Sequence, residues 1–260
     1  MRGLSFISMV LVFVMFITGC SQASLMKTFA SPEDEQAAKH YVDLLQAGKV
    51  DQIENDMDSS LKASTSNIHQ TLLDMAGYMP ALPPLSSKLV GSNIFSGGGT
   101  RRTSLTFEYQ YPDRWLLVNV VIQKQDDVST LIGFHIKRLQ DSLETINRFG
   151  LADKSALQYA VLLGALAASL FSLYALILCI RTKMRGRKWL WIIFILLGVC
   201  SVSVNWTTGD WDFHLVYVQL LSGGASAPLY GAWVISVSLP LGAIWFVLQR
   251  KSLAAPIEQV

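Results

Sequence analysis

Charge is scarce in this chain. Asp, Glu, Lys and Arg make up 15% of its 260 residues, against about 25% in soluble globular domains. That shortage excludes an ordinary soluble protein. A large net charge is missing too: the formal value is +2 and scattered, which excludes a nucleic-acid binder, because such proteins gather Lys and Arg on one face. Cysteine is limited to Cys20, Cys179 and Cys200. The last two lie inside apolar runs, where thiols act as small hydrophobes, so no disulfide framework is expected. No metal-ligand spacing, Ser–His–Asp order, Gly-rich phosphate loop or carboxylate pair stands out. Neither a catalytic residue, a metal nor a non-covalent cofactor is read from the sequence.

What charge there is divides the chain in two. Residues 31–150 hold fifteen acidic and eleven basic side chains. Residues 155–249 hold Arg181, Lys183, Arg185, Arg187, Lys188, Asp210 and Asp212 and no other charged residue. A polar domain, 31–150, therefore precedes a membrane domain, 151–251, with the composition break near Gly150–Lys154 and a tail at 252–260.

The first residues carry an export signal. A basic Arg2 and an apolar run from Leu4 to Ile17 precede small residues, the order of a secretory signal. Ile17-Thr18-Gly19-Cys20 resembles the lipobox of bacterial lipoproteins. The resemblance implies a signal peptide at 1–19, cleavage after Gly19, acylation of the Cys20 thiol and a lipidated tether over 20–30. Cys20 is thus the expected lipidation site, and the covalent lipid the expected prosthetic group.

In the membrane domain, three apolar runs clear the length needed for a hydrocarbon core: about 156–180, 189–206 and 229–248. The sequence predicts a three-helix, all-α transmembrane module. Five cations and no acid in 181–188 put that loop in the cytoplasm, as do Arg250 and Lys251 for the C-terminus. The domain 31–150 is then extracytoplasmic, at the bacterial cytoplasmic (inner) membrane. Trp189, Trp191, Trp206, Trp211, Trp233 and Trp245 cluster near the span ends, as interfacial anchors do. Ala160, Gly164, Ala168 and Ser172 recur every four residues, a smooth face for packing within the bundle or for a homodimer. Asp210, Asp212 and His214 read as solvated residues of an outer segment rather than as metal ligands.

The polar domain opens with a strong helix start, Ser31-Pro32-Glu33-Asp34-Glu35. Ala38, Tyr41, Val42, Leu44 and Leu45 continue at helical spacing up to Gly48. Further helices are expected over 49–57 and 66–79. Alternation then takes over: 89–95, 105–111, 116–122 and 132–136 read as four antiparallel strands, with Ile132, Phe134 and Ile136 sharing a face. The expected fold is α+β, N-terminal helices on a curved antiparallel meander sheet. This order is similar to the NTF2-like (cystatin-like) superfamily, the similar features being Tyr41–Lys49, Arg101-Arg102 at a strand start and Ile132–Ile136. The resemblance implies a helix-backed cone that hosts enzymes, ligand binders or assembly modules. His135, Tyr109 and Arg101 are then the candidate ligand-lining residues, with His40, His69 and Glu108 as further polar groups. His69 reads as a surface residue. Two functions follow: a non-enzymatic envelope interaction or assembly module, with the bilayer and a protein as partners, or a binder of a small apolar ligand inside the cone.

Overall fold

The computed structural model describes residues 31–126, 128–184 and 187–253. The expected signal peptide, Cys20 and the expected tether over 20–30 lie outside the described residues, as do residues 254–260. The chain divides into two compact units between Ile146 and Asn147, upstream of the composition break at Gly150–Lys154.

The first unit begins with helix α1 (Pro32–Gln46). Ser31 Oγ accepts the Asp34 N–H at 3.1 Å, and Glu33, Asp34 and Glu35 sit in the first turn, where the helix dipole favours negative charge. Short helices α2 (Val50–Asp56), α3 (Ser59–Ser64) and α4 (Ile68–Ala76) follow. The helix expected over 66–79 is shorter than that, and α3 has no counterpart in the sequence reading. Strands β1 (Ser86–Gly97), β2 (Thr100–Gln110), β3 (Trp115–Gln125) and β4 (Val128–Leu139) form one antiparallel meander in the order β1-β2-β3-β4. A four-residue helix α5 (Leu143–Ile146) closes the unit.

The core lies where the helices meet one face of the sheet. Leu45, Ile53, Leu72, Leu105, Phe107, Leu116 and Leu131 are all essentially inaccessible there. Register corrects one detail of β4. The ladder shifts at Val121/Ile122, so Ile122 faces Leu131 while Val121 faces Gly133. This bulge turns Ile132 out of step. Leu131 and Ile136 are buried on the core side, with Phe134 packed against them.

The second unit is not the three-helix transmembrane module that hydropathy predicts. One long helix is present, α6 (Ala156–Arg181), started by a reciprocal capping box between Ser155 and Gln158. It is long and apolar enough to cross a membrane. The other two runs change structure part-way. Residues 189–206 divide into α7 (Lys188–Leu196) and β5 (Leu197–Asn205), joined without a loop. Residues 229–248 divide into β8 (Val234–Leu239) and α8 (Leu241–Leu253). With β6 (Trp211–Leu220) and β7 (Gly223–Ser226), they make a second antiparallel sheet in the order β6-β5-β8-β7. The whole chain is thus α+β with two antiparallel sheets.

The physical reason lies in periods that a hydropathy average cannot see. Val199, Ser201 and Ser203 alternate with Cys200, Val202 and Val204, and Val234-Ile235-Ser236-Val237-Ser238 repeats the habit. β-branched residues and serine at period two fit a pleated strand better than a helix interior. Pro240 has no N–H for a ladder and disfavours helix in the residue before it, so the switch into α8 comes there. The serines are satisfied across strands: Gln219 donates to Ser236 Oγ at 2.7 Å and accepts from Ser238 Oγ at 2.7 Å.

Candidate functional site

Three residues were expected to line a common interior. The structure separates them. Tyr109 is buried in the core face of β2, packed with Phe107 and Tyr111. Arg101 shares that side of β2 but stands eight residues away, about 27 Å along an extended strand. Its Nη2 donates to Asp34 Oδ2 at 2.9 Å, tying the strand to the first turn of α1. His135 is exposed and pairs in register with Asn119, on the face of the sheet turned away from the core. Buried apolar side chains of the helices and of the sheet pack against one another between the two layers. A depression of about 440 Å³ lies at the hairpin end of the sheet, lined by Ser96, Gly97, Gly99, Thr100, Arg101, Lys124 and Asp126, and it is open to solvent.

Burial raises the pKa of the core tyrosines. Desolvation pushes the Tyr109 hydroxyl up to about 12, and burial raises Tyr41 and Tyr111 as well. The neutral phenol is the form that the folded unit accommodates. Above the unfolded value near 10, the unfolded chain loses protons that the folded chain keeps, so stability falls as pH rises from there towards about 12. Spectrophotometric titration at alkaline pH is expected to show Tyr109 ionising late. Ionisation of all the tyrosines in one step near 10, with the fold intact, is the contrary result.

Other polar residues have structural partners. Glu108 is buried and accepts the Leu143 N–H at 2.5 Å, anchoring the start of α5. His40 is exposed beside the Tyr41 ring. Asp210 accepts from Thr208 Oγ1 at 2.6 Å, and His214 lies against Tyr217.

His69 is not an isolated surface residue. Its Nδ1 lies 3.0 Å from Glu54 Oε2 and 3.6 Å from Asp51 Oδ1. The three ligand atoms all lie within 4.8 Å of one another. Asp51 and Glu54 stand three apart on α2, hence on one side of it, and α4 delivers the imidazole. Sequence reading missed this group, although Asp-x-x-Glu on a short helix was its visible half.

The second unit presents a different kind of surface. Leu163, Leu166, Leu170, Tyr174 and Ile177 of α6 are exposed, as are Trp189, Leu190, Ile193 and Phe194 of α7. Ile244, Trp245 and Leu248 of α8 join them. On β6, Leu215 and Val216 are among the most exposed apolar residues of the chain, Val216 at 95%. They sit in a bulge where Val199 pairs with Val218 but Ser201 pairs with His214. Trp206, by contrast, is buried, donates to the Gly150 carbonyl at 2.7 Å and stacks on Phe149. Of the small-residue stripe, Ser172 is buried against Ser222 and Gly164 faces Val237, while Ala160 is exposed.

Comparison with known proteins returned nothing: no family model, no curated protein and no solved structure matches this chain.

Proposed function

We propose that the protein is a non-enzymatic, membrane-held interaction module, in which the second unit sits in a lipid bilayer and the first engages a protein of the cell envelope. The observation that carries this reading is the apolar exterior of the second unit. Soluble monomers rarely expose apolar patches beyond a few hundred Å², whereas here α6, α7, α8 and β6 all turn large apolar side chains outward. α6 provides the crossing. The cations of 181–188 hold its C-terminal end on the cytoplasmic side, which leaves residues 31–150 extracytoplasmic at a bacterial inner membrane. Acylation at Cys20 adds a second tether, and a single acyl chain binds a membrane only marginally by itself. The packed apolar cluster between helices and sheet in the first unit supports surface recognition over enclosure of a small ligand. Phe95 and Val128 are exposed near the hairpin ends of the sheet and give that surface an apolar anchor.

Alkaline carbonate extraction of wild-type and Cys20→Ala protein tests the membrane half. Both are expected in the membrane pellet, because α6 suffices. Release of either into the supernatant counts against the reading. A photo-cross-linking residue at Phe95 or Val128, activated in intact cells, tests the other half. A discrete adduct with one protein is expected, and its absence at both positions speaks against a partner on this surface.

A further inference from the structure

We propose that Asp51, Glu54 and His69 form a binding site for a transition-metal dication of the zinc class. This site is independent of the membrane reading. Zinc bonds to carboxylate oxygen and imidazole nitrogen are about 2.0–2.2 Å long, so tetrahedral ligands stand roughly 3.4 Å apart. The His69 Nδ1 separations of 3.0 Å from Glu54 Oε2 and 3.6 Å from Asp51 Oδ1 bracket that value, and no ligand pair exceeds 4.8 Å. The ligands come from two helices, so their convergence is a product of the fold and not of local sequence alone.

Charge supports the assignment. The ion-pair partner of both carboxylates is His69. Lys62, on the intervening α3, donates instead to the Asn55 carbonyl at 3.3 Å. Two carboxylates converge on one imidazole, and among the described residues no Lys or Arg is paired with either of them; a dication bound between them balances both carboxylate charges. The donor set selects the metal: an imidazole nitrogen with two carboxylates suits zinc and its neighbours, while calcium and magnesium prefer oxygen alone. Three protein ligands leave a fourth position for water or for a group on another molecule. Asp51 and His69 are solvent-accessible, with side-chain exposures of 85% and 49%, so the ion has an entry path. Bound there, it pins α2 to α4.

The test uses untagged full-length protein in mild detergent, stripped with a chelator. Zinc is titrated by calorimetry, and cobalt by visible absorption, which reports the ligand field. Saturable binding of one ion per chain is expected, with affinity lowered at least about tenfold in His69→Ala and in Glu54→Gln. His135→Ala, which alters an exposed histidine elsewhere on the sheet, is expected to bind as wild type does. Circular dichroism of each apo variant establishes that the fold is retained. Should His69→Ala prove misfolded, Asp51→Asn takes its place. The proposal is overturned if wild type shows no saturable uptake, if the ligand variants bind as wild type does, or if calcium saturates the site and zinc does not. In the first case the cluster is a hydrogen-bonded surface contact between α2 and α4 and nothing more.

Discussion

Substitution of Gly242 by valine is expected to unseat helix α8 and expose Cys179 to thiol reagents. Gly242 is buried where α8 meets the end of α7, and a Cβ there runs into the Phe194 carbonyl and approaches the Ile195 nitrogen to 2.9 Å. The obstacle is backbone, so no rotamer change relieves it. Ordinary overpacking costs about 1–3 kcal/mol, and a clash with main chain exceeds that range. The cluster affected is compact: Ala175, Cys179, Ile195, Ala243 and Phe246, all fully buried. Trp191 lies edge-on to Phe246 at 5.7 Å and completes it. Maleimide labelling in detergent, with the modified cysteine located by mass spectrometry, is expected to leave Cys179 inert in wild type and label it readily in Gly242→Val. Gly150→Ala is the control, since nothing lies within 4 Å of a Cβ at that position. Equal labelling of Cys179 in wild type and Gly242→Val refutes the packing described for this unit.

The second large effect falls on the first unit. Phe107→Ala is expected to cost about 3–5 kcal/mol, the usual range for a large aromatic removed from a core. Domains of this size are stable by about 5–15 kcal/mol, so roughly a fifth or more of the total is at stake. Phe107 is inaccessible to solvent, pairs with Val118 across the ladder and lies under the Lys39 ammonium, 5.8 Å from the ring centroid. Loss of the ring opens a void between α1 and the middle of the sheet. Hydrogen exchange over 100–125 reports the change as faster exchange in β2 and β3. Phe95→Ala provides the comparison, because that ring is 66% exposed and its loss is expected to cost within about 0.5 kcal/mol. Similar exchange in both variants contradicts the placement of the core.

Much of the first unit was legible because its signals are local. Ser31, Pro32 and the three acids mark a helix start by chemistry that acts within one turn, and Leu105 to Tyr111 alternate over a single strand. The second unit misled the same reasoning. Its valines and serines keep a period of two inside runs that also pass for spanning helices, and a window average discards the period. Ile132 was misplaced because a bulge in β4 depends on its pairing with β3, which one segment cannot reveal. The metal-binding cluster was hidden for a related reason. Asp51 and Glu54 are neighbours by helix geometry, but His69 reaches them only because α3 and the left-handed Asn67 turn the chain back. Conversely, Arg101, Tyr109 and His135 are grouped by the resemblance to a cone, and the sheet places them at opposite ends or on opposite faces.

The position of β5 carries a consequence for synthesis. Both of its sheet neighbours, β6 and β8, come later in the chain. A nascent polypeptide that has emerged only as far as Asn205 therefore has peptide groups in β5 with neither partner strand present to pair them. β6 closes one edge of β5 first, and the other edge stays open until β8, ending at Leu239, has emerged.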